Sequence, residues 1–273
     1  MEPSEAPAEN EAEARFRFAG RASDGDAGIE AAGLGDATTA ALVFMGRSED
    51  GRDVDVLRWH LFDHIPEQFR VPGVRNGQRW VSTPECRAAR FAPSAPYDAA
   101  DYVVQYLFAE PAPQAVAAFA QLGKALGRAG RFIRSRQPVL ASGGFGIQGM
   151  RASSRGALGA AVLPWYPASG IFLSVETAAE ADPAAGMETL SRLADVEGVA
   201  GAWRYGPAQR DLSPLRTDLG IAATVFYLYD DPLAVAGRLR DAVEREWSRA
   251  GAEGRFASPF YIVQAHDIER RLP

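Results

Sequence analysis

Two histidines, His60 and His64, carry the side chains best suited to proton chemistry in this sequence. They are two of the 3 histidines in 273 residues, and imidazole is the side chain whose ordinary pKa lies nearest neutral pH. Four residues apart on a helix, they would share one face. His64 would stand near the helix end, where the negative end of the helix dipole favours the imidazolium. This pattern predicts His64 as a general acid or base, with His60 beside it.

An oxyanion formed by such a proton transfer would need a donor, and Arg79 or Tyr106 could supply one. Two other interpretations stay open: His64 could instead hold the turn at Pro66 through a backbone carbonyl, and the nearby aromatic residues could be core. Around the histidines we expect a pocket for a hydrophobic substrate, formed by Trp59, Trp80, Tyr102, Tyr106 and Phe108.

A metal site is less well supported by the sequence. His60 and His64 would need a carboxylate such as Glu67, because two histidines alone are an incomplete zinc or iron site. Asp63 is adjacent to His64 and would point elsewhere on a helix. We therefore expect no metal and no cofactor, while haem held by one axial histidine remains an alternative.

The elements that must position these residues follow one order twice: strand, helix, strand, strand, helix, strand. Apolar β-branched runs predict the strands, and three- and four-residue apolar spacings predict the helices. In the first half these are strand 41–46, a helix that Asp53 can cap and Pro66 ends, strands 73–81 and 101–109, helix 113–129 and a glycine-rich strand within 143–149. In the second half they are strand 170–177, helix 184–195, strands 198–206 and 219–229, helix 232–248 after the cap Asp231, and strand 256–264.

Short matches between the halves indicate an internal repeat. Gly73-Val74 with Arg79-Trp80 matches Gly198-Val199 with Arg204-Tyr205, 125 residues later. Tyr106-Leu107-Phe108 matches Tyr227-Leu228-Tyr229, 121 residues later.

The histidines themselves are not repeated. At the first of these offsets, 125, they fall on Ala185 and Thr189. Any proton chemistry therefore belongs to the first half, and the second half would be a lid or a structural partner.

We accordingly predict an α+β fold of two tandem ferredoxin-like βαββαβ units packed sheet to sheet. The units would span residues 39–155 and 156–273, after a disordered tail, 1–38, that has too few apolar residues to fold and carries at most a short helix near 11–18. A sheet with helices on one face leaves the other face bare and apolar, and a second copy would cover it.

The stretch from Arg58 to Trp80, RWHLFDHIPEQFRVPGVRNGQRW, resembles the EthD-like branch of the dimeric α/β-barrel superfamily. The resemblance implies a covalently fused pair of units and small, often aromatic or polyketide-like ligands. Related proteins include cofactor-free cyclases and isomerases. The residues that carry the resemblance are Trp59, His64, Pro66, Glu67, Pro72, Gly73, Arg79 and Trp80.

Composition excludes several classes of function. The net charge of -6 without a basic run argues against a nucleic-acid partner. One cysteine, Cys86, rules out an internal disulfide. No signal peptide or membrane-spanning run is present in the sequence, so we expect a cytoplasmic protein, either monomer or homodimer, without a membrane partner.

Three hypotheses of function follow. The first is a cofactor-independent lyase, isomerase or cyclase that acts on a hydrophobic, aromatic or polyketide-like substrate through His64. The second is a non-catalytic binding or accessory protein for a hydrophobic small molecule. The third is a haem- or metal-dependent oxygenase.

Overall fold

The computed structural model describes residues 38–135, 137–156, 158–177, 183–214, 219–266 and 268–273. Eight antiparallel strands form a closed barrel in the order β1-β3-β2-β8-β5-β7-β6-β4. The strands are β1 (Thr38–Gly46), β2 (Val74–Val81), β3 (Tyr102–Ala109), β4 (Val139–Ala152), β5 (Gly170–Thr177), β6 (Val199–Ala208), β7 (Ile221–Leu228) and β8 (Gly254–Ile262).

The two halves of the barrel have the same strand order. The first half reads β4-β1-β3-β2 and the second reads β8-β5-β7-β6. They join through a long pairing of β4 with β6 and a short one of β2 with β8, where only Trp80 and Val81 find partners. The predicted mixed α+β class is confirmed. The intramolecular barrel that the resemblance implies is also present, but the two sheets that we expected to pack face to face are joined by hydrogen bonds at both seams into one closed sheet.

The inside of the barrel is a packed apolar core. Side chains alternate between the two faces of each strand, so one set from every strand points inward. Trp80, Trp203 and Phe256 are each at most 1% exposed within this cluster. The predicted burial of one apolar face per unit is thus achieved by closure of the barrel.

Helices cover the outer face. They are α1 (Asp53–Trp59), a π-helical turn (His60–His64), α2 (Ile65–Gln68), α3 (Pro84–Ala88), α4 (Ala112–Arg128), α5 (Pro183–Ala194) and α6 (Pro232–Ala250), with 3₁₀ turns at Tyr97–Ala99 and Ala160–Trp165. The carboxylate of Asp231 caps α6 as the sequence predicts, accepting from the backbone of Leu233 and Ala234. Among the helices that the structure describes, none has the length and apolar character needed to cross a bilayer.

Two predictions about the first helix are wrong. Pro66 does not end it, because the hydrogen bonding becomes π-helical before the proline. The N–H of Ile65 donates to the carbonyl of His60, five residues earlier, and α2 continues the helix. Asp53 does not cap it either. Arg52 occupies that position without a side-chain bond, and the carboxylate of Asp53 instead accepts the hydroxyl of Tyr102.

The two sequence matches fall differently on the strands of the sheet. Arg79 pairs with Val104 and Arg204 pairs with Thr224, so the offset of 125 joins equivalent positions on β2 and β6. The same pairs require an offset of 120 between β3 and β7. At 121, Tyr106, which packs toward the helices, is matched to Tyr227, which lies inside the barrel. A slip of one residue exchanges the two faces of a strand.

The predicted tail lies outside the described residues up to position 37, including the helix expected near 11–18. Thr38, which we placed in the tail, begins β1.

Candidate functional site

A cavity of about 420 Å³ lies between the outer face of the first half of the sheet and the helices that cover it. β1, β2 and β3 form its floor, and α1, the π-helical turn and α4 form its walls. Its described lining residues are Phe44, Met45, Gly46, Arg47, Trp59, His60, His64, Gln68, Arg79, Tyr102, Val104, Tyr106, Phe119, Ala120, Gly123, Lys124, Phe132, Gln137, Pro138, Val139 and Pro214.

The π-helical turn brings both predicted histidines to the cavity. Their ring centroids are 5.6 Å apart. His60 is buried, with Nε2 3.3 Å from the hydroxyl of Tyr106 and with no partner for its Nδ1. Burial, and then the positive charge of Arg79, hold the pKa of His60 well below its ordinary value. His60 is therefore a neutral imidazole enclosed by protein.

His64 is half-buried and more accessible. Its ring stacks on Trp59, with centroids 4.6 Å apart, and Phe132 packs against it at 5.1 Å. The side-chain amide nitrogen of Gln68 lies 3.2 Å from Nε2. Burial lowers the pKa of His64 to about 4, since the opposing effect of Asp63 is smaller. We expected a helix end to stabilise the imidazolium of His64, and this prediction is wrong. The helix continues past His64, and the cavity around the ring is mainly apolar.

Arg79 is the third predicted catalytic residue and lies on the cavity floor. Its guanidinium is 4.3 Å from the ring centroid of Tyr102, and one terminal nitrogen donates to the side chain of Gln137 at 3.3 Å. Only 7% of the residue is exposed, and its Nε has no hydrogen-bond partner. Burial lowers the pKa of Arg79 to about 10, so the side chain stays cationic at neutral pH.

The remaining predicted residues separate by strand face. Trp59, Tyr102 and Tyr106 line the cavity. Trp80 does not, because it follows Arg79 on β2 and points to the opposite side, into the barrel. Phe108 is fully buried beyond the cavity, with its ring against Phe119 on α4.

Several lining residues escaped the sequence reasoning. Gln68 holds His64, Gln137 holds Arg79, and Lys124 adds a second positive charge from α4. The apolar spacing in α4 predicts that Phe119 faces the sheet, but nothing in the sequence places Gln137 there.

A protein-held metal ion finds no ligand set in the described part of the chain. The two candidate carboxylates, Asp63 and Glu67, both pair with Arg131 at 2.7 and 3.0 Å.

No family model matches the sequence, and a search of curated proteins also finds no match. Solved structures do match in fold. A dye-decolorizing peroxidase from Bacteroides thetaiotaomicron has a TM-score of 0.52 at 8% identity, over 86% of this chain and 95% of that one. The encapsulated DyP-type peroxidase from Mycobacterium smegmatis has a TM-score of 0.49 at 12% identity, over 88% and 97%. A mutant chlorite dismutase from Candidatus Nitrospira defluvii, in complex with cyanide, has 0.48 at 10%, over 86% and 95%.

The chain therefore has a fold similar to that of the dye-decolorizing peroxidase, with a closed antiparallel barrel and helices outside it. At such identities the likeness establishes fold alone, and the other two are too distant in shape to support any argument. Our first hypothesis of function, a cofactor-independent lyase, isomerase or cyclase, is contradicted, because a solved structure that shares the fold at a TM-score of 0.52 is a dye-decolorizing peroxidase.

Proposed function

We propose that this chain is a haem-dependent oxidoreductase and that the cavity beside His64 is its haem site. The observation that carries the proposal is an accessible, neutral imidazole on the wall of an apolar cavity. Iron is bound by the neutral form of histidine, and the depressed pKa of His64 keeps that form at all pH values near neutral.

The residues present fit haem in donor type and in charge. One nitrogen of His64 contacts Gln68, while its Nδ1 has no partner among the described residues and remains accessible. If the side-chain amide of Gln68 is turned by 180°, its oxygen faces Nε2 of His64 and accepts a hydrogen bond from the Nε2–H. The lone pair of the neutral ring then lies on Nδ1. The cavity wall is mainly apolar, and its described charged residues, Arg47, Arg79 and Lys124, are all cations that suit the two carboxylates of haem.

Each group has a distinct role in this proposal. His64 would hold the iron of haem through one ring nitrogen, while Trp59 fixes its ring plane and Gln68 holds its second nitrogen. Lys124 and Arg79 would bind carboxylates, while the aromatic walls exclude water. Haem, when bound, would supply redox chemistry at its iron.

Titration of the purified protein with haemin tests the proposal. We expect a one-to-one complex with a shifted Soret band. His64→Ala should lose the histidine-ligated spectrum, and added imidazole should restore it. His266→Ala, a substitution of an exposed histidine, is the matched control and should leave the spectrum unchanged. A native spectrum from His64→Ala, or no complex at all, would contradict the assignment.

A second candidate function is a non-catalytic protein that binds another apolar acid in the same cavity. The buried cation Arg79 favours this function, because it needs an anion, and that anion can belong to haem or to another acid. Retention of a ligand without turnover, and without a Soret band on haemin addition, would distinguish this function from the first.

We also propose that the fold is two ferredoxin-like units fused in tandem, 39–155 and 156–273, of the EthD-like branch. The common strand order of the halves and the equivalence of Arg79 with Arg204 support the fusion. The branch is supported by the motif residues Trp59, His64 and Arg79, which gather at one cavity.

A further inference from the structure

The cation on the floor of the cavity has no counter-ion among the residues that the structure describes. No carboxylate of the described residues lies within 4.0 Å of Arg79, and no described residue that lines the cavity is acidic. Asp53 acts on Arg79 from a distance, but its carboxylate accepts the hydroxyl of Tyr102. A buried charge without a partner is costly and is seldom retained without a use.

The second half of the chain contains a matched arrangement. Arg204 occupies on β6 the position that Arg79 occupies on β2, because each pairs with the same point of its central strand. It lines a cavity of about 360 Å³ between the sheet and α5 and α6. There the guanidinium forms an ion pair with Glu176, which is 2% exposed.

The counter-ion of the second half comes from the neighbouring strand. Glu176 on β5 pairs with Ala222, two residues before the partner of Arg204. The equivalent position on β1 pairs with Tyr102, two residues before the partner of Arg79, and it holds Gly46. A Cβ atom there would lie 2.9 Å from the carbonyl oxygen of Pro138. The first half has no side chain at this position, and its backbone leaves little room for one.

We propose that Arg79 binds a carboxylate of the molecule that occupies the first cavity, in the place where Glu176 neutralises Arg204 in the second. The ligand is therefore an apolar acid, and the second cavity, already neutral, does not bind one. This inference rests on the cavity of the proposed function holding a ligand, but it does not require that ligand to be haem. The carboxylate could belong to haem or to a free aromatic acid.

Calorimetric titration of the full chain with two pairs of probes tests the inference. One pair is naphthalene-2-carboxylate and the neutral naphthalene-2-carboxamide. The other is haemin and haemin dimethyl ester. The variant is Arg79→Gln, and the matched control is the double variant Glu176→Gln with Arg204→Gln, which removes the equivalent charges without leaving a buried carboxylate. Melting curves verify that both variants are folded.

We expect the native chain and the double variant to prefer the carboxylate probe by about tenfold in at least one pair, and Arg79→Gln to lose that preference. Preference within the naphthalene pair identifies a free acid, and preference within the haemin pair alone identifies a propionate. An equal preference in Arg79→Gln, or no preference by the native chain in either pair, overturns the inference. If haemin and its ester bind equally well to all three proteins, the proposed haem function stands. If the naphthalene carboxylate is preferred and haemin does not bind, only the proposed haem function is refuted.

Discussion

Substitution of the two equivalent arginines should change stability in opposite directions. In the ligand-free protein, Arg79→Met removes a buried cation that has no counter-ion among the described residues, whereas Arg204→Met removes one partner of a buried ion pair. The fall in the pKa of Arg79 from 12.5 to about 10 corresponds to about 3 kcal/mol of unfavourable free energy for the charged form in the folded state.

Lost contacts offset part of the stability that is gained by removing the charge of Arg79. Arg79→Met gives up the hydrogen bond to Gln137 and the stacking on Tyr102, together about 1–2 kcal/mol. The net expectation is a stabilisation of about 1–2 kcal/mol. Arg204→Met leaves Glu176 buried without its cation and should cost about 3–5 kcal/mol.

Urea denaturation of the ligand-free chain, followed by circular dichroism, measures both free energies of unfolding, and melting curves should move by about 2–4 °C per kcal/mol. Both variants shorten the side chain by the same amount, so the changes in packing are similar. A loss of more than about 1 kcal/mol in Arg79→Met would refute the reasoning, since it would mean that the chain itself neutralises this cation. Equal losses in both variants would do the same.

Two further predictions concern other buried ionisable groups. His64 has a lowered folded-state pKa of about 4, so its contribution to stability is full above pH 6.5 and falls as the pH drops. Between pH 7.5 and 5.5 it should cost about 1.4 kcal/mol, with His60 adding to it in the same direction, and urea denaturation of His64→Gln should show a correspondingly smaller loss. Glu246→Gln should destabilise the chain by about 1–3 kcal/mol, because this buried carboxylate accepts from Arg192 at 2.8 Å and from Arg249 at 2.6 Å. The exposed Glu188→Gln, assayed in the same way, should change stability by less than about 0.5 kcal/mol, and an equal effect of both would contradict the role of Glu246.

The order of elements was predictable because local chemistry determines it. The strand at 101–109 is dense in β-branched and aromatic residues, and β3 covers Tyr102–Ala109. The helix begun by Asp231 and Pro232 has both a side-chain cap and a preset first dihedral angle, and α6 begins at Pro232. Even the glycine-rich stretch at 143–149 lies within β4, because the two adjacent strands, β1 and β6, pair with it on either side.

The electrostatic state of the histidines was not predictable from spacing. The rule that a proline ends a helix placed His64 at a terminus and favoured its charged form. A change to π-helical hydrogen bonding absorbs Pro66 and carries the helix on, and burial then favours the neutral form. The same four-residue spacing therefore correctly predicts that the rings are neighbours and wrongly predicts their charge.

The contrast between the two arginines required strand register, which one sequence does not provide. Arg79 and Arg204 are visible as a repeat, but their surroundings come from β1 and β5, which precede them by about thirty residues and pair with a third strand. Only this pairing shows that Gly46 stands where Glu176 stands. Once it is known, the two halves serve as a comparison within one molecule: the fold can hold a buried arginine with its own carboxylate, and in the first half that carboxylate is replaced by a cavity. No described residue supplies the missing charge, and in our proposal the bound molecule does.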